Sequence, residues 1–346
     1  MRFFDHQRQA RAQTRRLLLL FALTALGVVV AMNAALALTW QLVRLGLNGV
    51  ATGYPAYFFS VNTGLTLLFV LGGWWLETSS LQGDRGNNGS GGGEKLARRA
   101  GAREAWPANR HAERQLCNII DELAVAAAMK PPKAMVLDRV DTINAFAAGW
   151  AADDTVVAVT RGALDLLTRD ELQGLVAHEF SHIREGDTRL NMHLAGMVLG
   201  LELLFNFGRS LCSRSDAGQF SFTALPGAAV MACGALGWLA GRMLKAAVAR
   251  QREFLADARA VQFTRSKDGL GSVLRKVAGQ GAVSLPGALH PAVHHMLLVG
   301  AQGSASARWL ATHPPLSERI RRIYGRPMSA LVPGRDDAST QPAALF

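Results

Sequence analysis

The chain has 346 residues, of which 49% are apolar and 18% are charged, and its formal net charge is +11. The apolar fraction is high for a soluble enzyme, so the composition predicts membrane spans attached to a globular part. The basic residues cluster beside apolar runs and lack the aromatic interleaving or zinc-knuckle spacing of nucleic-acid binders, so we expect no nucleic-acid partner. The three widely spaced cysteines disfavour both a disulfide framework and a thiolate metal site.

Residues 1–82 are predicted to form an N-terminal membrane region with two spans, at about 17–40 and 54–76. Each run is uncharged and long enough to cross a bilayer. A cleaved signal peptide is the alternative for the first run, but the run is too long for a typical signal and a second span follows it. Arginines before the first span and after the second place both ends of this region in the cytoplasm.

A glycine-rich stretch begins a predicted flexible linker over residues 83–110. Residues 111–326 then read as one mostly α-helical domain with a small β-meander, an α+β fold. An amphipathic stripe predicts a helix that ends at Pro131-Pro132. The three β-leaning runs of the meander follow at residues 133–137, 143–149 and 155–160.

The next helix is predicted to begin at Thr168, because Thr168 and Glu171 form a capping-box pattern and apolar residues recur at helical spacing. It carries the H-E-x-x-H motif His178-Glu179-Phe180-Ser181-His182. Its two histidines lie one turn apart and face the same way, so they can bind one metal ion, usually zinc. Glu179 is suited to accept a proton from a water molecule at the metal. The alternative is a solvated helix face without a metal.

Two further apolar stretches follow, at about 190–208 and 218–241, each with two glycines four residues apart. They are expected to be either a second membrane hairpin or buried helices that cover the active site. A later amphipathic helix, residues 251–263, carries Glu253 and Asp257. Residues 327–346 have a composition typical of a disordered tail.

A catalytic zinc site needs three protein ligands and an open position. The candidates for the third ligand are the spare histidines and Glu171, Glu202, Glu253 and Glu318. Glu253 is favoured because Asp257, four residues later, could support a ligating imidazole. The alternative is that Glu253 pairs with a neighbouring arginine on a solvated face. Asp187 is a rival for the supporting role, but a local cap or a pair with Arg189 is the preferred interpretation.

Several short motifs, taken in order, resemble the HtpX-like membrane metallopeptidases of family forty-eight, which are related to the CAAX prenyl proteases. The resemblance runs from about residue 17 to residue 325. Besides the two N-terminal spans, the matching segments are Ile143-Asn144-Ala145-Phe146-Ala147, Val159-Thr160-Arg161-Gly162, Ala177-His178-Glu179-Phe180-Ser181-His182, Arg252-Glu253-Phe254-Leu255-Ala256-Asp257 and Thr312-His313-Pro314-Pro315.

The resemblance implies a gluzincin-like catalytic domain with one Zn2+ per chain, held by His178, His182 and Glu253. It implies that Glu179 is the general base and later the acid toward the leaving amine. Asp257 matches the aspartate that supports a ligating histidine in this family. These assignments make the chain a zinc metalloendopeptidase.

His313 matches a family histidine that steadies the tetrahedral intermediate. Asn144, Ala145 and Phe146 match a segment that offers an exposed strand edge to the substrate, to which an extended peptide could add. His290, His294 and His295 have no role that the resemblance implies.

The hypothesis is an integral membrane protease of the bacterial plasma membrane, with its catalytic domain and both termini in the cytoplasm. By resemblance, its substrates are misfolded or damaged membrane proteins, as in stress-linked quality control. One alternative is a processing protease for defined partners such as prenylated proteins. Another is a catalytically silent, zinc-bearing membrane scaffold, which would have no use for Glu179 or His313. The sequence does not predict an oligomeric state.

Overall fold

The computed structural model describes residues 2–46, 53–82, 91–151, 153–212, 223–280, 297–298 and 311–332. The chain forms two compact units, each made from two separate segments. The first unit combines Met1–Ser80 with Leu190–Ala247, and the second combines Leu81–Arg189 with Val248–Phe346.

Ten helices and four strands are present among the described residues. In chain order they are α1 (Arg2–Gly46), α2 (Phe58–Leu81), α3 (Gly92–Arg99), β1 (Arg103–Glu104), α4 (His111–Ala127), β2 (Lys133–Leu137), β3 (Ala145–Ala148), β4 (Val156–Thr160), α5 (Arg161–Leu166), α6 (Arg169–Glu185), α7 (Asp187–Leu211), α8 (Ala224–Thr264), α9 (Asp268–Gly279) and α10 (Leu316–Tyr324). The predicted fold class, mostly α with a small sheet, is confirmed.

The first unit consists of α1, α2, most of α7 and the first part of α8. Large apolar side chains are exposed along these helices, including Leu23 and Leu26 on α1 and Leu236 on α8. An apolar surface of this extent suits lipid rather than water. Within the described ranges, four helices are long and apolar enough to cross a membrane: α1, α2, α7 and α8.

Glycines allow the helices of the first unit to approach closely. Gly200 of α7 lies against Gly73 and the backbone of Val70 in α2, and Gly208 lies against the backbone of Met231 in α8. A side chain at either α7 glycine would collide with a neighbouring backbone. These small residues therefore set the spacing of α7 against α2 and α8.

The second unit contains a mixed four-stranded sheet in the order β1-β2-β4-β3 among the described residues. β4 pairs in parallel with β2 and antiparallel with β3. The predicted strands are present, but the predicted meander is wrong, because β4 inserts between the two strands that precede it. All five residues of β4 are buried, which is expected of a valine-rich central strand covered on both faces.

Helix α6 begins as its sequence predicts. The backbone N–H of Thr168 donates to the Glu171 carboxylate at 2.8 Å, and the Thr168 hydroxyl accepts from the Glu171 N–H. The helix ends at Gly186, whose φ of 74° is a left-handed conformation that favours glycine. Buried residues of α6 join the core formed by α4, the sheet and α9, so the helix is held along most of its length.

The structure corrects part of the predicted linker. Residues 83–90 lie outside the described residues, but 92–104 form α3 and β1, and Leu96 and Ala97 of α3 are fully buried. An eight-residue helix with one apolar face can therefore pack where we had predicted a flexible chain. Of the predicted tail, only residues 327–332 are described. They have no regular secondary structure, and the Leu331 N–H bonds to the Arg275 carbonyl.

Candidate metal centre

His178 and His182 project from one face of α6 into the interior of the second unit. Their Nε2 atoms are 3.2 Å apart, and the side chain of His178 is completely buried. This geometry follows from the helix itself, because residues four apart lie one above the other. Burial lowers the pKa of His178, which favours the neutral imidazole that can ligate a metal ion.

Glu253 reaches the two histidines from α8. Its Oε1 is 3.6 Å from the Nε2 of His182, and its Oε2 is 3.8 Å from the Nε2 of His178. Two donor atoms that are each about 2.1 Å from a tetrahedral zinc ion lie roughly 3.4 Å apart. One donor atom from each of the three residues lies within 4.8 Å of the other two, a spacing that one metal ion could span. Among the described residues they are the one group of three that could hold a metal.

Each histidine has an aspartate at its other ring nitrogen. Asp257 lies 3.1 Å from the Nδ1 of His178, and Asp187 lies 2.9 Å from the Nδ1 of His182. We predicted the position of Asp257 beside a ligating imidazole, but we assigned Asp187 to a local cap or a pair with Arg189. Instead, Asp187 contacts His182 and forms an ion pair with Arg252 of α8.

Arg319 of α10 is completely buried beside these carboxylates, and our sequence analysis did not select it. Its Nε and Nη2 donate to the two oxygens of Asp257 at 2.8 and 2.6 Å, and its Nη1 lies 2.9 Å from Glu253 Oε2. Burial alone would lower its pKa, but the carboxylates of Asp257 and Glu253 raise the pKa above its ordinary value. Nothing in the local sequence of α10 identifies this arginine, because its partners lie on a distant helix.

Glu179 lies between the two histidines in sequence and is only 1% exposed. Burial raises the pKa of its carboxyl group to about 7. The nearby backbone N–H of Ala147 in β3 opposes this rise and lowers the pKa in part.

Strand β3 is hydrogen-bonded to β4 along one side. Asn144 is fully buried just before the strand, and its side-chain oxygen accepts a hydrogen bond from the N–H of Ala145. The Ala145 carbonyl accepts from the backbone N–H of Leu298 at 2.9 Å. Phe146, the third predicted substrate residue, is fully buried.

His313 is the remaining predicted site residue, and it precedes α10. Its Nδ1 lies 3.4 Å from Glu253 Oε2, so the ring reaches the same cluster. The other candidate ligands are engaged elsewhere or belong to a different unit. Glu171 bonds to Lys276, Glu318 pairs with Arg321 and Arg322, and Glu202 belongs to the first unit. The histidines at 290, 294 and 295 lie outside the described residues.

Residues 110–326 match the model of Peptidase family M48. The chain belongs to this family. A Protease HtpX homolog of Dictyoglomus turgidum is 34% identical over 209 residues, which are 60% of this chain and 68% of the relative. Another Protease HtpX homolog, from Ligilactobacillus salivarius, is 30% identical over 289 residues, 80% of this chain and 91% of the relative. The crystal structure of S. mikatae Ste24p aligns with 89% of this chain and 66% of that chain, at 14% identity and a TM-score of 0.43.

As an M48 member the chain is a metallopeptidase with a catalytic metal, and it acts on peptide or protein substrates. Its four apolar helices make it an integral membrane protein. The family resemblance stated from the motifs is confirmed by the family match.

Proposed function

We propose that the chain is a membrane zinc endopeptidase in which His178, His182 and Glu253 hold one zinc ion. The observation that carries this proposal is the convergence of two imidazoles and one carboxylate, whose donor atoms lie within 4.8 Å of one another. When bound, zinc would polarise the scissile carbonyl and lower the pKa of a water molecule at the site, which eases removal of its proton.

In this proposal Glu179 is the proton carrier of the reaction. Its carboxylate takes a proton from the attacking water and later delivers it to the leaving amine. Its burial supports this role, because a carboxyl group with a pKa near neutrality can both accept and release a proton. His313 would donate a hydrogen bond to the oxygen of the tetrahedral intermediate, and its position 3.4 Å from Glu253 supports this role.

The substrate would bind as an extended strand along β3, at Asn144, Ala145 and Phe146. Peptides commonly add to a sheet edge through main-chain hydrogen bonds. The proximity of the Ala147 backbone N–H to Glu179 supports this position, since a peptide at the edge would pass close to the proton carrier. A peptide that bonded to the Ala145 carbonyl would have to replace the N–H of Leu298 there.

We further propose that the substrates are misfolded or damaged membrane proteins, and that the enzyme acts in the bacterial plasma membrane with its second unit in the cytoplasm. The similarity to proteins named Protease HtpX homolog supports a protease of this kind. A scaffold that used zinc only for folding would need neither Glu179 nor His313, yet both lie at the site.

The deciding experiment compares the wild type with Glu179→Gln at matched zinc content. Both proteins are purified in detergent and incubated with an unfolded model protein such as casein. We expect the wild type to cleave it and Glu179→Gln to lose at least ~100-fold in kcat, because the ligands survive while the proton carrier is lost. Equal cleavage by both would point to a contaminating protease. If neither protein cleaves although both hold zinc, the proposal of a broad endopeptidase fails.

A further inference from the structure

Asp187 and Arg252 form a buried ion pair beside His182. We propose that Asp187 is a positioning residue for His182, and that Arg252 fixes Asp187 for this purpose. The pair would be the counterpart of Asp257 and Arg319 at His178. This inference rests on the proposed zinc site and extends it to residues outside the ligand set.

The contacts are specific to the two oxygens of Asp187. One oxygen, Oδ2, lies 2.9 Å from the Nδ1 of His182, and the other, Oδ1, pairs with the Arg252 guanidinium. Asp187 is 2% exposed and Arg252 is 7% exposed, so both charges are withdrawn from water. Burying either charge without a partner would be costly.

Local backbone structure explains why Asp187 can reach back to α6. Gly186, the residue after α6, adopts a left-handed conformation with φ 74°, which ends the helix. Asp187 follows directly as the first residue of α7. Asp187 thereby contacts the Nδ1 of His182, whereas Glu253 lies near the Nε2 of the same ring.

The chemical consequence concerns the tautomer of His182. An N–H at Nδ1 that donates to Asp187 leaves the lone pair on Nε2, the nitrogen that faces Glu253 and His178. The carboxylate also makes the ring a stronger electron donor. Because Arg252 holds the second oxygen, the carboxylate is fixed in its orientation toward Nδ1. Each histidine thus has an aspartate–arginine pair on the side of its Nδ1.

The competing explanation is that the Asp187–Arg252 pair only fastens α8 to the end of α6. The chain contains a matched control for this explanation. Glu185, the last residue of α6, pairs with Arg259 of α8 at 2.9 Å, and neither residue contacts a histidine of the site in the described structure. If the pair has only a mechanical role, Glu185→Gln and Asp187→Asn should have similar effects on zinc binding.

The test measures the zinc dissociation constant of the full-length, detergent-purified chain by competition with a chromogenic chelator. We expect Asp187→Asn to weaken zinc binding by about 10–100-fold, and Glu185→Gln to change it by less than ~2-fold. At saturating zinc, Asp187→Asn should lower kcat on casein with little change in KM, because the substrate edge is untouched. Arg252→Lys keeps the charge but loses the guanidinium fork, so its loss of zinc affinity should be smaller than that of Asp187→Asn.

Wild-type zinc affinity in Asp187→Asn would overturn the inference, as would an equal loss in Glu185→Gln. If Asp187→Asn does not fold, Arg252→Lys decides: weaker zinc binding than in Glu185→Gln supports the inference, and equal binding overturns it. The zinc readout also separates the two proposals. Selective loss of zinc in Asp187→Asn, together with a wild type that cleaves nothing, would support the positioning role and reject the endopeptidase.

Discussion

Glu113 is a buried carboxylate whose charge depends on its neighbours in the second unit. Arg103 donates to both of its oxygens, at 2.7 and 2.9 Å, and the backbone N–H of Trp106 donates at 2.6 Å. The side chain of Glu113 is completely buried. The hydrogen bonds from Arg103 hold the pKa of Glu113 below its ordinary value of 4.5, against the opposing effect of burial.

This arrangement predicts a pH dependence of folding stability. A carboxyl group whose pKa is lower in the folded state contributes its full stabilisation above its ordinary pKa, here 4.5. That contribution is lost as the pH falls from 4.5 towards the lower pKa of the folded state. We therefore expect Glu113→Gln to be less stable than the wild type at pH 6 and to lose less stability on acidification to pH 4. Urea unfolding at the two pH values measures both effects.

Replacing Arg103 should lower folding stability more than replacing Glu113. Arg103→Gln leaves Glu113 without its main donor, which costs about 3 kcal/mol in a buried pair. The control is Arg169→Gln, which breaks an ion pair with Glu122 whose two side chains are both nearly half exposed. Exposed pairs contribute ~0–1 kcal/mol, so this variant should be close to the wild type. Equal losses in the two variants would contradict the assigned role of burial.

The ease of predicting a residue's role from sequence depended on how local its partners are. His178 and His182 share one helix, so their convergence follows from helical geometry. Asp257 was predicted through its spacing from Glu253 and the family resemblance. Arg319 and Arg252 were missed because an arginine on an amphipathic helix has no sequence signal for the buried carboxylate that it meets.

At the scale of elements, α6 is the most predictable part of the second unit. Its start is fixed by a capping box within four residues, and its end by a glycine in the left-handed conformation. The sheet was predicted less well, because strand order depends on pairing between segments about twenty residues apart. A meander would contain the same strands as the observed sheet. The observed order differs from it because the valine-rich β4 packs at the centre.

The contact between α6 and α9 depends on Gly174, one helical turn before His178. A Cβ at this position would collide with the backbone of Gly269 and Leu270 in α9. Alanine normally stabilises a helix interior relative to glycine by about 1 kcal/mol. At Gly174 we expect the opposite sign, a destabilisation of about 1–3 kcal/mol, because two backbones must move apart.

Thermal unfolding of Gly174→Ala measures this effect. Gln173→Ala is the control, since it changes a partly exposed neighbour on the same helix and should shift stability by less than about 0.5 kcal/mol. Zinc affinity should also fall in Gly174→Ala if the displacement reaches His178. A stabilised Gly174→Ala would show that α9 can move away from α6 without cost.

At the scale of the whole molecule, connectivity restricts how the chain can cross the membrane. The second unit contains both Arg189, before the body of α7, and Val248, within α8. None of the four candidate membrane spans lies mainly in the second unit, so the parts of this unit must lie on one side of the bilayer. The segment between them, α7 and the first part of α8, therefore crosses the membrane twice or not at all. The exposed apolar side chains of this segment, such as Leu236, favour two crossings.

Charge then favours one orientation. Five arginines precede the first span within residues 1–16, whereas Arg44 is the one basic residue between residues 40 and 54. Basic residues near spans remain on the cytoplasmic side. We therefore expect the loop between α1 and α2 to face outward, and the entire second unit to face the cytoplasm.

Single cysteines in a chain whose three native cysteines are replaced by serine can test this topology. The sites are Gly53→Cys, between α1 and α2, and Ala108→Cys and Val332→Cys in the second unit, all of them exposed. In spheroplasts, a membrane-impermeant maleimide should label Gly53→Cys alone, and in inverted vesicles it should label the other two. Casein cleavage by each variant confirms that it is folded.

The pair at 108 and 332 is the stricter part of this test, because it does not depend on the charge argument. Ala108 precedes α7 and Val332 follows α8, so the two sites share a side only if the chain between them crosses an even number of times. Reversed labelling of all three sites would reject the cytoplasmic orientation but would remain compatible with a second unit built from both segments. Labelling of 108 and 332 from opposite sides would be incompatible with a second unit built from both segments, and hence with Glu253 beside His178 and His182.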